Sequence, residues 1–319
     1  MQYSVNMKVY FAPIQGFTDD VYRKSHRRVY GDVVDEYVTP FVRREHGEIR
    51  SKDWRDAVSA INEANTAVQV IVKNVEEFHF LVKSLVDAGC KRIDINAGCP
   101  YPMQTAKGRG CGLPARIEEF SSVMTAIDSY ADIKFSLKMR LGMVDPTQWR
   151  TLLPIINDAN LCCVTVHPRV AKQLYKGDLY MDEFSEIYHS VHHPLVYNGD
   201  LATVDDVNRV MMQYPLLQGV MIGRGLLSRP SLVNELKDGT LWDDKQRLQV
   251  ILKQHDLMLE EYSARLQGGE HQLLMKMKTT WEYLQPFIGR KQWKAIHKST
   301  SMSKYRAAVQ AITLPDNLE

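Results

Sequence analysis

The sequence predicts an α/β protein, a (β/α)8 TIM barrel over residues 1–240 followed by a small C-terminal α-helical bundle over 241–319. Three observations carry this expectation. Short apolar strands alternate with helical patterns up to about residue 236, which implies βαβ units and a parallel sheet. Eight such strands occur, and no GxGxxG follows the first, so a closed barrel fits better than an open dinucleotide-binding sheet. Beyond about residue 240 the strand patterns stop and amphipathic helical stretches take over.

The strands read, in order, as "KVYFAP" (8–13), "VVDEYVTPF" (33–41), "AVQVIV" (67–72) and "KRIDINAG" (91–98). They continue as "KFSLKMRLG" (134–142), "CCVTVHP" (162–168), "PLVYNGD" (194–200) and "GVMIGRG" (219–225). Between them, "VEEFHFLVKSLVDAG" (75–89) shows the three- and four-residue apolar spacing of a helix and a closing glycine. In the tail, 245–266 and 270–287 each read as one helix, with shorter helices at 290–299 and 303–312. Gly268, Gly269, Pro286 and Gly289 punctuate them.

Composition sets bounds on function. The chain of 319 residues is 45% hydrophobic and 24% charged, with no low-complexity tract. Its N-terminus lacks a basic and apolar signal pattern, and no apolar run is long enough to span a bilayer. Five cysteines without a CxxC or Cys/His cluster argue for reduced thiols and against a disulfide frame or a metal site, so a cytoplasmic protein is expected. Charge is uneven. Between Arg265 and Gln310 nine Lys/Arg face two acids, on a chain whose net charge is +2. Such a basic segment suits a polyanionic partner, although a solvated helical face explains charge alone equally well.

The strands carry polar residues where a packed barrel interior needs none. Gln69, Asn96, Lys138, His167 and Asn198 each fall near a strand's C-terminal end, in register opposite its large apolar residues. Period-two geometry sends the five side chains together into the barrel mouth. A lysine there needs an anionic or hydrogen-bonding partner. One such residue is commonly a satisfied core group; five converging at the catalytic end point to a polar ligand. The glycine loops "NGD" (198–200) and "GRG" (223–225) follow strands seven and eight, where barrels commonly hold phosphate. Cys99, just past the fourth strand in "DINAGCPYP", has four open roles: buried thiol, metal ligand, nucleophile or proton source.

Taken together, "APIQG" (12–16), Gln69 in "VQV", "DINAGCP" (94–100), "LKMRLG" (137–142), "HPR" (167–169), "VYNGD" (196–200) and "GVMIGRG" (219–225) resemble the tRNA-dihydrouridine synthase family. These flavin enzymes reduce uridines in tRNA. The resemblance implies FMN on the C-terminal face of the barrel, with Pro13, Ile14, Gln15, Gln69 and Lys138 around the flavin ring and ribityl chain. His167 would help hold flavin or base, and Asn198, Gly199, Asp200, Gly223 and Arg224 the phosphate end. NADPH would reduce the flavin, a hydride would pass to C6 of the uracil, and Cys99 would donate the proton at C5. Asn96, Arg169 and Tyr175 would contact the substrate. An unperturbed thiol is mostly protonated at neutral pH, which agrees with an acid role, although Lys138 and His167 leave thiolate chemistry open.

Two departures from the family pattern are Ile14, where Met is usual, and Pro168, where Gly is usual. Cys111, in "GRGCGLP", is either a second thiol or a tolerated small side chain, the latter being favoured. Cys90, Cys162 and Cys163 are expected to be inert and buried. The basic tail would bind tRNA through Lys276, Lys278, Arg290, Lys294 and Lys298, while Trp281 and Trp293 are expected in the core. The glycine-dense loop leans towards the bacterial C class, which modifies position 16 of the D-loop; an rRNA target stays open. A monomer is the default. Two other readings remain: a flavin barrel acting on a free small molecule, and a non-catalytic RNA-binding protein on a vestigial barrel.

Overall fold

The computed structural model describes residues 7–312. Its strands are β1 (Lys8–Phe11), β2 (Glu36–Val38), β3 (Arg44–Glu45), β4 (Glu48–Ile49), β5 (Thr66–Val70), β6 (Arg92–Ala97), β7 (Lys134–Gly142), β8 (Leu161–Val170), β9 (Leu195–Tyr197) and β10 (Gly219–Ile222). Among the described residues, eight of them close into a parallel barrel in the order β1-β10-β9-β8-β7-β6-β5-β2, and β3 and β4 form a separate antiparallel hairpin. The fold is a (β/α)8 TIM barrel with a C-terminal helical region, as the sequence predicts.

Every predicted barrel strand is present, and most are shorter than their apolar runs. The first ladder stops after Phe11 because Ala12 N–H makes the last bond, to the Ile222 carbonyl at 2.8 Å, and Pro13 has no N–H to offer. Register explains the interior. Gln69 pairs with Asp94, Asp94 with Ser136, and Ser136 with Cys163. One layer higher, Asn96 pairs with Lys138 and Lys138 with Thr165, and above these Arg140 pairs with His167. In-register neighbours share a face, so one sector of the interior is polar throughout. The opposite sector is apolar, with Tyr10, Ala12, Val38, Val196 and Met221 packed against Cys163. The alternate residues Ile93, Ile95, Phe135, Leu137, Val164 and Val166 are buried on the outer face of the sheet.

Cys162 departs from expectation. It is exposed rather than buried. Successive residues Phe135 and Ser136 pair with Leu161 and Cys163, so Cys162 is the extra residue of a β-bulge and turns away from the interior. Cys90 and Cys163 are buried.

The described residues group into two compact units. One comprises residues 7–15, 35–199 and 207–222 and contains the whole barrel; the other comprises 16–34, 200–206 and 223–312. Helices of the second unit span Asp20–Tyr30, Asp244–Arg265, Gly269–Thr279, Arg290–His297 and Met302–Gln310, with shorter ones between. Arg265 forks onto the Asp20 carboxylate with two 2.7 Å bonds, and Tyr262 Oη donates to Asp19 Oδ1 at 2.6 Å. Trp281 is fully buried and donates from Nε1 to Tyr305 Oη at 2.9 Å. The helix expected over 270–287 is broken. It ends at Thr279, where the Thr279 and Thr280 hydroxyls bond back to the Lys276 and Met277 carbonyls, and a new short helix begins at Gln285 with Pro286 in its first turn. Residues 313–319 of the expected bundle lie outside the described residues. No described helix is long and apolar enough to cross a membrane.

Candidate active site

The polar sector of the barrel interior is a connected network. Asp94 lies at its base, 1% exposed, and its carboxylate accepts from Ser136 Oγ at 2.6 Å and Gln69 Nε2 at 2.7 Å. Gln69 Oε1 accepts from Asn96 Nδ2 at 2.8 Å. Asn96 Oδ1 in turn accepts the backbone N–H groups of Gly98, at 3.0 Å, and Cys99, at 2.9 Å. This cap turns the chain sharply at the end of β6 and fixes the peptide that carries Cys99. On the other arm, Lys138 Nζ donates to Asn198 Oδ1 at 2.9 Å, and Asn198 Nδ2 to the Met221 carbonyl at 2.7 Å. The lysine thus has its hydrogen-bonding partner, and the Asp94 carboxylate adds the anion.

Electrostatics follow burial. Desolvation pushes Asp94 from 3.8 up to about 6, against the Ser136 and Gln69 hydrogen bonds and the Lys138 charge. Lys138 is drawn down to about 8 by burial and by the neighbouring Arg140, so it remains mainly cationic at neutral pH. Burial raises the Cys99 thiol, outweighing the Tyr101 N–H and the charges of Arg140, Lys138 and Arg43 that favour a thiolate. Cys111 is pushed up to about 12 by burial. Both thiols are therefore protonated acids at neutral pH.

A pH dependence of stability follows from Asp94. Its folded pKa is the higher one, so its contribution is fully present below about pH 4 and is lost as pH rises through about 6. The difference is worth about 3 kcal/mol. Urea midpoints of the wild type are expected to fall across that window relative to Asp94→Asn, whose side chain does not titrate.

The loop after Cys99 holds it from the other side. Cys111 N–H donates to the Cys99 carbonyl at 3.0 Å. Gly110 has φ +56°, and a Cβ there would come within 2.6 Å of the Cys99 oxygen and 2.7 Å of its Cβ. Only glycine fits, which accounts for the glycine-dense "GRGCG". Arg109 of the same loop is buried and bonds Glu77 twice, at 2.7 and 3.1 Å, and the Arg44 carbonyl at 2.5 Å. Cys99 itself packs against Phe41 and Ile71 and is 9% exposed.

The rim of the mouth is aromatic and cationic. The Arg140 guanidinium carbon lies 5.1 Å from the centre of the Tyr175 ring, and the His167 and Tyr175 rings are 6.3 Å apart. Arg169 Nη1 meets His167 Nε2 at 3.2 Å and holds the Gly177 carbonyl through Nη2 at 2.7 Å. Tyr101, half exposed, stands 6.4 Å from Tyr175.

Of the expected site residues, Gln69, Asn96, Cys99, Lys138, His167, Arg169, Tyr175 and Asn198 lie in this one region. Pro13 and Ile14 are half-buried and Gln15 exposed just beyond β1, while Gly199 is buried, with room for a Cβ only 3.1 Å from Leu179 Cδ2 and Tyr197 Oη. Asp200, Gly223 and Arg224 belong to the second unit, where Arg224 Nη2 bonds Asp200 Oδ1 at 3.0 Å. In that unit Lys276 is tied to Asp19 at 2.9 Å and to the Gly16 carbonyl, and Lys278 donates to the Ser299 carbonyl. Arg290, Lys294 and Lys298 are exposed, and Trp293 is half-buried. Sequence reasoning missed Asp94, Ser136 and Arg140, although each stands two residues from a chosen position on the same strand face. It also missed the Glu77–Arg109 pair, which no local pattern announces. Among the described residues no group of three or more His, Cys, Asp or Glu could hold a metal ion.

Comparison with known proteins adds the following. Residues 10–318 match the family model described as Dihydrouridine synthase (Dus). A tRNA-dihydrouridine(47) synthase [NAD(P)(+)]-like protein of Xenopus laevis is 32% identical over 184 residues, 56% of this chain. The chain spans only 28% of the length of that relative. A tRNA-dihydrouridine(16) synthase of Neisseria meningitidis serogroup B is 28% identical over 239 residues, 72% of this chain and 71% of the relative. A probable tRNA-dihydrouridine synthase of Treponema pallidum is 26% identical over 336 residues, 96% and 93% of the two chains. Among solved structures, the old yellow enzyme from Trypanosoma cruzi superposes with a TM-score of 0.54 at 10% identity, covering 74% of this chain and 89% of that one. This likeness is one of fold.

Proposed function

Because the chain belongs to the dihydrouridine synthase family, we propose that it reduces uridines of tRNA to 5,6-dihydrouridine with FMN as the bound cofactor and NADPH as the reductant. The observation that carries the reading is a cysteine at the barrel mouth whose peptide is fixed by Asn96, in the same polar interior as the Gln69 amide and the Lys138–Asn198 pair.

The donor set fits a flavin mononucleotide. Lys138 offers a cation, Gln69 and Asn198 are amides already oriented by neighbours, and Pro13, Ile14 and Gly199 supply apolar edge and close backbone. FMN, when bound and reduced by NADPH, would supply the hydride that C6 of the uracil receives. Reduction of the C5–C6 bond also needs one proton at C5, and the Cys99 Sγ–H donates it. Burial keeps that proton on sulfur until the base arrives, and Lys138 and Arg140 then favour the thiolate that is left. Asn96, already capping Gly98 and Cys99, keeps one Nδ2 hydrogen for the base; His167 and Arg169 present further polar groups, and Tyr175 a stacking face. The uridine must leave its helical stack to reach the thiol.

The C-terminal segment 241–319 is proposed to recognise tRNA, with the exposed Arg290, Lys294 and Lys298 making phosphate contacts. Position 16 is the proposed target, supported by the match to the Neisseria relative over 239 residues. Mapping dihydrouridine in total RNA from cells with and without the gene tests both statements. Loss confined to position 16 of tRNA is expected; loss at position 47 would move the target, and an unchanged tRNA map would overturn the activity.

A further inference from the structure

The chain of hydrogen bonds beneath Cys99 is fixed in polarity at both ends. At the base, an ionised Asp94 can only accept; at the top, the backbone N–H groups of Gly98 and Cys99 can only donate. The two links between them, Gln69 and Asn96, are primary amides that fit their space nearly as well when turned end over end. Turning Gln69 alone would set its carbonyl against the Asp94 carboxylate. Turning Asn96 alone would set its NH2 against the two N–H groups. Only one orientation of each amide satisfies the whole chain, and Asp94 enforces it from the base as the two N–H groups do from the top.

We propose that Asp94 is a positioning residue for Cys99, acting through Gln69 and Asn96 to fix the peptide that presents the thiol. The proposal rests on the reading of Cys99 as the proton donor to C5. A second observation agrees with it: the Cys99 carbonyl is held by Cys111 N–H at 3.0 Å, and Gly110 closes against the Cys99 Cβ. With its N–H fixed from Asn96 and its carbonyl from Cys111, Cys99 keeps only side-chain rotation. A buried carboxylate would be needless for packing alone, since an apolar residue of similar volume fills the same layer without a desolvation penalty. Its presence there is explained by the orientation it imposes. Ser136 supports it by donating to the second carboxylate oxygen at 2.6 Å.

The test uses the purified flavin-loaded protein and three variants. Asp94→Ala removes the acceptor, Asp94→Asn keeps one acceptor but admits a donor, and Ser136→Ala withdraws only the support. With tRNA, kcat of Asp94→Ala is expected to fall about 10²-fold, the cost of a reacting group misplaced by about 1 Å. KM for tRNA should stay within about twofold, and Asp94→Asn and Ser136→Ala should fall between Asp94→Ala and the wild type. Without RNA, alkylation by iodoacetamide, followed at each cysteine by peptide mass spectrometry, should change at Cys99 by about fivefold or more and stay constant at Cys90. If Asp94→Ala does not fold, the other two variants decide by the same readouts, in the same order. Unchanged kcat and unchanged Cys99 alkylation would overturn the proposal, as would faster alkylation at Cys90 and Cys163 in parallel, which reports general loosening. A wild-type protein that makes no dihydrouridine would instead sink the functional reading, while the alkylation arm still judges the positioning.

Discussion

Cys99→Ala is expected to slow uridine reduction by about 10²- to 10⁴-fold, the range supplied by a positioned general acid. The flavin absorbance of the purified protein should be retained, because Cys99 belongs to the loop over the mouth and not to the Lys138–Asn198 arm. Cys99→Ser should give little recovery. A serine hydroxyl has the right size but holds its proton far more tightly than a thiol, so it cannot serve as the acid at neutral pH. Cys111→Ala should leave turnover near that of the wild type, since Cys111 is 2% exposed and burial pushes its thiol up to about 12. Single-turnover rates of dihydrouridine formation decide between these outcomes. Near-normal turnover by Cys99→Ala would remove the acid assignment, and an active Cys99→Ala beside an inactive Cys111→Ala would transfer it to the second thiol.

Glu77→Ala is expected to destabilise the fold by about 3–5 kcal/mol, read as a lower urea midpoint at unchanged m-value. Glu77 and Arg109 are each 4% exposed and joined by two hydrogen bonds. Removing the carboxylate strands the guanidinium where water cannot replace its partner. Glu77 also accepts from Lys73 N–H at 3.1 Å, so the start of the helix Val75–Asp87 loses a bond as well. The double variant Glu77→Leu/Arg109→Met should recover most of the loss, because the penalty comes from the orphaned charge and not from absent attraction. A cost below about 1 kcal/mol for Glu77→Ala would show that solvent reaches Arg109.

Much of the site was legible because a barrel strand has a period of two. Once Lys138 is recognised as polar among Leu137 and Met139, its strand face is known, and the same face contains Ser136 and Arg140. Gln69, Asn96 and His167 follow from the same rule. What periodicity does not carry is the partner each polar group takes. The resemblance places Asn96 against the substrate, yet two of its hydrogen bonds cap the Cys99 turn and a third goes to Gln69. Lys276 and Lys278 stand beside aromatics in the sequence, as a nucleic-acid contact would need, yet both ammonium groups bind within their own unit. The helix Gly269–Thr279 brings them to carbonyls and a carboxylate that lie far away in sequence.

The sequence by itself determined the eight-strand repeat, the set of inward polar positions, the place of Cys99 beyond β6 and the basic helical tail. These are properties of spacing, composition and local turn chemistry, which act over a few residues. Tertiary structure alone decided that Cys111 is buried and that Arg109 is held by Glu77, 32 residues away. It also decided that Asp94, Gln69 and Asn96 form one directed chain of hydrogen bonds. Contacts between strands depend on register and closure of the barrel, and burial raises or lowers a proton affinity only once neighbours have excluded water. The identity of Cys99 is local, whereas its protonation and aim are set by residues brought to it from β5, β6 and the glycine loop.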